Sequence, residues 1–243
     1  MRMLRPHRSM ILRTRDKMFK PDNTHSNKHG ASLRSPLLTN FPAKQFEYCT
    51  KFSMLIAAKS HSNQQNVNTI YDISHLPKFV LAGAGAEKLI PQFLDCSPPK
   101  MFRGHILGHQ GKIGRIAKNQ FLLIDSLTGE FCEIFKKLAE STNEEAICLR
   151  TDLAEIALVG EIGSTVIAEL TGLNEADIGY DDFLPCDLAA AEVFLSLSEL
   201  PKPHFRLLVQ SSDVNYVFQA IEEINQRLGG IKEGAHSYQR YIG

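Results

Sequence analysis

The sequence predicts an α+β protein built from two pseudo-repeated α/β halves with antiparallel or mixed sheets. The first observation behind this is a strand–glycine–helix unit that occurs twice. Phe79-Val80-Leu81-Ala82-Gly83 leads into a helical pattern carrying Leu89, Ile90 and Phe93, and Ile156-Ala157-Leu158-Val159-Gly160 leads into one carrying Val166, Ile167 and Leu170. Counted from each glycine, the apolar residues fall at the same offsets. A glycine closing a buried strand permits a tight turn with positive φ, or close packing of the helix that follows. The second observation is that Phe121-Leu122-Leu123-Ile124-Asp125-Ser126 parallels Arg206-Leu207-Leu208-Val209-Gln210-Ser211, each ahead of an amphipathic helix. The third is the spacing of the copies, about 75–85 residues, which is too long for a solenoid repeat and fits two halves of one chain.

Taken in order, residues 1–31 read as a basic extension. Met3, Leu4, Met10, Ile11, Met18 and Phe19 recur at helical spacing among Arg2, Arg5, Arg8, Arg13 and Arg15, the pattern of a basic presequence or a membrane-surface helix. Pro6 and the polar, turn-rich stretch from Pro21 to Ala31 favour a disordered tail, or a translation start set too far upstream with Met18 as the candidate. Residues 32–68 read as a linker with a short docking segment, Ser35-Pro36-Leu37-Leu38, and a polar run from Ser60 to Asn68, so that order is expected to begin near Thr69.

The first half is assigned to residues 69–145. Its strand–glycine–helix unit ends at Cys96-Ser97-Pro98-Pro99, which no helix would survive. Gly108, Gly111 and Gly114 mark hairpins between Gly104 and Ile124, and a helix from about Thr128 to Ala139 follows, with Ser126 as its cap. The second half is assigned to 146–230. Ala146–Val159 reads mainly as strand, Ser164–Leu173 as helix and Asn174–Asp182 as an exposed acidic loop. Strands follow at Ala189–Leu197 and His204–Val209, and Asp213 starts a helix whose Val214, Val217, Phe218, Ile221 and Ile224 line one face. Gly229-Gly230 ends it, leaving 231–243 as a tail.

Composition narrows the function classes. Apolar content of 43% and charge of 22% are ordinary for a folded domain, and no apolar run is long enough to span a bilayer, so no membrane partner is expected. Residues 1–65 hold 12 of the 27 Lys and Arg with only Asp16, Asp22 and Glu47, leaving 15 basic against 24 acidic side chains in the remainder. That acidic remainder is a poor match for phosphate backbones, so no nucleic-acid partner is expected either. Cys49, Cys96, Cys132, Cys148 and Cys186 are odd in number and never spaced C-x-x-C, which suits buried thiols in a reducing compartment.

Four constellations have the residue types of a site. Gly83-Ala84-Gly85-Ala86-Glu87-Lys88 lacks the third glycine of a dinucleotide fingerprint and the Gly-Lys-Ser/Thr of a P-loop, and its counterpart Gly160-Glu161-Ile162-Gly163 sets a carboxylate where an anion would sit, so turn geometry is the reading. His105 and His109 have a metal-like spacing only if helical, and the glycines around them argue for strand and turn. Asp72, Ser74 and His75 could mimic a catalytic trio, although triads draw on distant segments. Cys186 has no adjacent Lys, Arg or His to depress its pKa. The expectation is therefore no catalytic, cofactor-binding or metal-binding residue.

Tyr71-Asp72-Ile73-Ser74-His75 ahead of Phe79–Gly83 resembles the opening of the folate-binding aminomethyltransferase family. Within that superfamily the ordered series looks most like the sarcosine oxidase gamma-subunit family. The series comprises Arg34-Ser35-Pro36-Leu37, Gly114-Arg115-Ile116, Gln120-Phe121-Leu122-Leu123, Phe183-Leu184-Pro185-Cys186, Phe205-Arg206-Leu207-Leu208-Val209 and the helix from Ser211 to Leu228. The resemblance implies an aminomethyltransferase folate-binding-domain-like fold. It also implies a cytoplasmic, non-catalytic gamma subunit packed with alpha, beta and delta subunits in a heterotetramer that oxidatively demethylates sarcosine to glycine and passes the one-carbon unit to tetrahydrofolate. FAD, FMN, NAD and tetrahydrofolate would then belong to the partner subunits. The Arg-x-Gly-Tyr-x-Gly stretch of true aminomethyltransferases is absent, which argues against independent folate chemistry, and a stand-alone folate-binding one-carbon transfer protein is the alternative.

Overall fold

The computed structural model describes residues 33–61, 68–108, 111–141, 146–199 and 203–242. The basic segment 1–31 lies outside them. The chain starts with a small sheet formed by β1 (Leu33–Arg34), β2 (Phe46–Lys51) and β3 (Met54–Ser60), in the order β1-β3-β2. Next come β4 (Thr69–Asp72), β5 (Lys78–Ala82), α1 (Ala86–Phe93), β6 (Gly104–Leu107), β7 (Gly111–Ala117), β8 (Gln120–Ile124), α2 (Cys132–Ser141) and β9 (Ala146–Leu149). The rest is β10 (Leu153–Val159), α3 (Glu161–Thr171), β11 (Leu184–Leu188), β12 (Ala191–Ser198), β13 (His204–Gln210), α4 (Val214–Arg227), β14 (Ile231–Glu233) and α5 (Ala235–Ile242).

Two larger sheets carry the fold. One has the order β6-β7-β8-β5-β9 and the other β11-β12-β13-β10-β4-β14. All pairs in them are antiparallel except β14 with β4. Side chains alternate across a strand, so each sheet offers two faces. Phe79, Leu81, Phe121 and Leu123 meet Ile90 of α1 and Phe135 and Leu138 of α2. Ile156, Leu158, Leu207 and Val209 meet Val166 and Ile167 of α3 and Val217, Phe218 and Ile221 of α4. The opposite faces meet each other, joining Leu122 and Ile124 to Ala157, Leu208 and Phe183. The result is four layers, helix–sheet–sheet–helix.

The strand–glycine–helix junctions form as read. Gly160 has φ of 87°, and α3 then lies so close to its sheet that a Cβ on Gly163 would fall 2.6 Å from the Phe205 ring. The four helices packed on the sheets occur near their expected positions, and Gly229 closes α4 with φ of 64°.

Three expectations are corrected. Residues 33–61 are not a linker: Leu37 and Phe41 are fully buried against the same core as Ile70 and Phe218, so the short docking segment docks into this chain's own fold. The hairpin between β2 and β3 escaped notice because its turn residues, Phe52 and Ser53, take left-handed φ of 45° and 63° with no Gly, Asn or Pro to signal it. Residues 231–242 are not a tail: β14 extends the second sheet beside β4, and α5 sets Tyr238 into the layer between the sheets. Finally, Ala146–Val159 is two strands in different sheets. β9 pairs with β5, β10 pairs with β4 and β13, and Arg150 and Asp152 clamp the crossover through hydrogen bonds of 2.7 Å. Each of the two stretches thus contributes its first strand to the other's sheet.

Candidate functional site

The face-to-face layer between the large sheets is not purely apolar. On β10 the alternation that points Leu153, Ala157 and Val159 into it also points Glu155, and on β13 Arg206 and His204 share a face with Leu208. The other sheet supplies Lys78 at the start of β5 and Lys112 on β7. Exposure is 0% for Glu155, 1% for Lys78 and Lys112, and 2% for Arg206.

The four charges form one cluster. Arg206 Nε donates to Glu155 Oε1 at 2.7 Å, and a second guanidinium nitrogen lies 2.6 Å from the same oxygen. Lys78 Nζ sits 3.2 Å from Glu155 Oε2 and donates to the carbonyls of Leu76 at 2.7 Å and Ser74 at 3.2 Å. Lys112 Nζ reaches across the layer to the carbonyl of Leu197 at 3.4 Å. Burial lowers the Lys78 pKa while Glu155 resists, and burial opposes charge on Arg206 but Glu155 carries that group upward. Lys112 is brought down to about 7, first by burial and then by the neighbouring Arg206. The Glu155 carboxylate is shared by the Arg206 guanidinium of its own sheet and the Lys78 ammonium of the other, so the cluster ties the two sheets together. Beside it His204 Nε2 meets the Tyr238 hydroxyl at 2.9 Å, and burial raises the Tyr238 pKa.

Asp72, Ser74 and His75 do not form a trio. Asp72 Oδ2 accepts from the Ser35 hydroxyl at 2.5 Å, and its Oδ1 accepts from the Ser74 amide at 3.0 Å, a turn that fixes the exit of β4. The Ser74 hydroxyl accepts from the Glu155 amide at 3.0 Å. The His75 ring stacks near Phe52, 2% exposed, and neither nitrogen is hydrogen-bonded among the described residues. Burial, reinforced by Lys51, Lys78 and His236, lowers its pKa well below the usual imidazole value.

The remaining constellations resolve structurally. Gly83 has φ of 146° and donates its amide to Asn119, while Glu87 in the first turn of α1 pairs with Arg115 at 2.9 Å. At the counterpart loop the Asn68 side-chain oxygen accepts from the Ile162 amide at 3.2 Å, taking the place an anion would fill. His105 lies on β6 opposite Ile113, in a strand as the glycines suggested, and His109 lies outside the described residues. Cys186 lies on β11 with its thiol pushed up to about 11 by burial and by Asp187. The cap of α2 is shared: Asp125 accepts from the Phe131 amide at 3.0 Å, and Ser126 Oγ from the Glu130 amide at 3.3 Å. Two open clefts lie away from the cluster. One of about 520 Å³ is lined by Lys59, His236, Gln239 and Arg240, and one of about 470 Å³ lies beside Phe46, His61, Glu222 and Lys232.

The residues that sequence reasoning missed are Lys78, Lys112, Glu155, Arg206 and Tyr238. A signal existed. Glu155 and Arg206 are each the single charge within an otherwise apolar strand, Leu153–Val159 and Phe205–Val209. Opposite charges isolated in neighbouring buried strands mark a cross-strand pair.

No protein-family model matches the sequence, and no curated protein matches it. Solved structures do. The glycine cleavage system aminomethyltransferase T from Bartonella henselae aligns over 77% of this chain and 56% of its own, with a TM-score of 0.60 and 15% identity. This chain thus spans little more than half the length of that protein. A chain of the heterotetrameric sarcosine oxidase from Corynebacterium sp. U-96, in complex with pyrrole 2-carboxylate, aligns over 79% of this chain and 95% of its own, with a TM-score of 0.55 and 13% identity. This chain has the fold those two structures share.

Proposed function

We propose that this chain is a gamma-type subunit of a heterotetrameric sarcosine oxidase, cytoplasmic and without catalytic residues of its own, assembled with alpha, beta and delta subunits. In this reading the two α/β stretches are diverged copies of one unit, and FAD, FMN, NAD and tetrahydrofolate are held by the partners. The observation that carries it is coverage: this fold accounts for 95% of a sarcosine oxidase chain but 56% of aminomethyltransferase T. The ordered motif series from Arg34-Ser35-Pro36-Leu37 to the α4 helix supports it from the sequence side.

The packing between the sheets supports assigning tetrahydrofolate to a partner. The Glu155 carboxylate buried there is held by Arg206 and Lys78. Leu122, Phe183 and Leu208 pack beside them. No helix among the described residues is long and apolar enough to cross a membrane.

The test is co-expression with flavin-bearing subunits of sarcosine oxidase, with a tag on this chain. A yellow stoichiometric eluate that makes peroxide from sarcosine is expected. The second reading, a stand-alone folate-binding one-carbon transfer protein, draws on the TM-score of 0.60 to aminomethyltransferase T. It would be favoured by a colourless monomer whose melting temperature rises with tetrahydrofolate through mass action.

A further inference from the structure

Among the described residues Cys49 is the cysteine that meets an imidazole. Its Sγ lies 3.6 Å from His236 Nε2, within hydrogen-bonding reach for sulfur, and the thiol is half-buried. The two groups come from distant parts of the chain, β2 and α5, and the packing fixes their meeting. Gly234, just ahead of α5, lies so close to β3 that a Cβ on it would have no room against the Ala58 backbone. Lys51 stands two residues along β2, on the face it shares with Cys49, and its Nζ donates to Gln239 Oε1 of α5 at 2.6 Å. His236 and Gln239 also line the cleft of about 520 Å³, together with Lys59 and Arg240. Lys51, Lys59 and Arg240 form no ion pair among the described residues. The carboxylates in the neighbourhood are Glu47, cross-strand from Lys59, and the buried Glu233, which accepts from the Ser237 hydroxyl at 3.1 Å. The other thiols have different company. Burial and then a neighbouring aspartate raise Cys96, Cys132 and Cys186, and burial raises Cys148 against Arg150.

We propose that Cys49 and His236 form a thiol-modification site that takes an anionic low-molecular-weight disulfide and holds half of it as a mixed disulfide. The proposal goes beyond the subunit reading and does not depend on it. Burial raises the Cys49 pKa and Lys51 opposes that rise, so the resting group at neutral pH is the thiol. His236 Nε2 takes its proton as Cys49 Sγ attacks one sulfur of the disulfide. The old S–S bond breaks, a new one forms to Cys49, and the departing thiolate receives the proton from His236. One disulfide is consumed and one is made, so the step needs no other oxidant. The Lys51 ammonium, beside the thiol, steadies the negative charge that passes through the sulfurs. Lys59 and Arg240 in the cleft meet the carboxylates of the incoming molecule.

The experiment incubates the full chain with oxidised glutathione and follows each cysteine by peptide mass mapping. At pH 7 Cys49 is expected to react at least ~10-fold faster than any of the other four, and His236→Gln to slow it at least ~10-fold. In the wild type the rate should level off above the ordinary imidazole range, about pH 6.5. Lys59→Ala/Arg240→Ala changes two exposed side chains, so its melting temperature should stay within about two degrees of wild type. That double variant should react several-fold more slowly with oxidised glutathione and no more slowly with cystamine, a dicationic disulfide. Modification of Cys49 no faster than its fellows would overturn the proposal. So would a wild-type rate that climbs roughly tenfold per pH unit through pH 9, the mark of a thiolate acting without a base, a result that requires no variant to fold. An unchanged rate in His236→Gln would overturn the role of the imidazole, and equal slowing with both disulfides in the double variant would overturn recognition of an anion.

Discussion

Replacing Lys112 with Met should stabilise this protein, and the size of the gain should depend on pH in a defined way. Lys112 is 1% exposed, donates to the Leu197 carbonyl at 3.4 Å and sits near Arg206, Glu155, Asp182 and Asp181. Its folded-state pKa of about 7 lies below the 10.5 of an ordinary lysine. A base with a depressed folded pKa binds fewer protons folded than unfolded between those two values. Stability therefore rises with pH across that window, and the penalty is fully present below about pH 7. A gap of that width corresponds to a penalty on the order of 3–5 kcal/mol. Met keeps most of the buried stem and discards the charge. Urea denaturation from pH 6 to 9 should show Lys112→Met more stable by about 2–4 kcal/mol at pH 6–7, with the advantage shrinking by up to about 1.4 kcal/mol per unit between pH 8 and 9. An advantage that stays constant over the range would refute the reasoning, as would a variant less stable than wild type at pH 6.

The remaining predictions concern the same layer and its borders. Glu155→Gln leaves Lys78 and Arg206 buried without their carboxylate and should cost about 3–5 kcal/mol by urea denaturation. His75→Leu removes a buried ring whose two nitrogens have no hydrogen-bond partner among the described residues and should raise stability by about 1 kcal/mol. Because His75 is depressed below its unfolded pKa, the variant's advantage should grow as the pH falls through 6.5 and the unfolded chain takes up a proton that the folded one refuses. Asp125→Ala uncaps α2 and should cost about 1–2 kcal/mol, read as a lower melting temperature. Gly163→Val would drive a side chain into the Phe205 ring and should cost more than about 2 kcal/mol or prevent folding, read from soluble yield.

The elements that the sequence exposed are those whose periodicity and punctuation agree. Leu81-Ala82-Gly83 and Val159-Gly160 announce their junctions because the glycine is needed there, and α4 announces itself through Val217, Phe218, Ile221 and Ile224 ahead of Gly229. The hairpin of β2 and β3 stayed hidden because Phe52 and Ser53 hold a left-handed turn by tertiary packing, with Phe52 over His75. The exchange of β4 and β9 between the sheets was hidden too, since strand periodicity says which face is buried but not which sheet a strand joins. The charged cluster escaped for a related reason. Its members are scattered from Lys78 to Arg206 and meet only because the two sheets pack face to face. Asp72, Ser74 and His75, adjacent in sequence, separate because each is claimed by a different neighbour, Ser35, Glu155 and Phe52.

The most direct test of the account is the stoichiometry and colour of what this chain carries when co-expressed with the flavin-bearing subunits of a sarcosine oxidase. The account predicts an equimolar yellow complex that produces peroxide from sarcosine, with Glu155→Gln lowering its melting temperature and not its turnover per flavin. A colourless chain that purifies alone and is stabilised by tetrahydrofolate would contradict it.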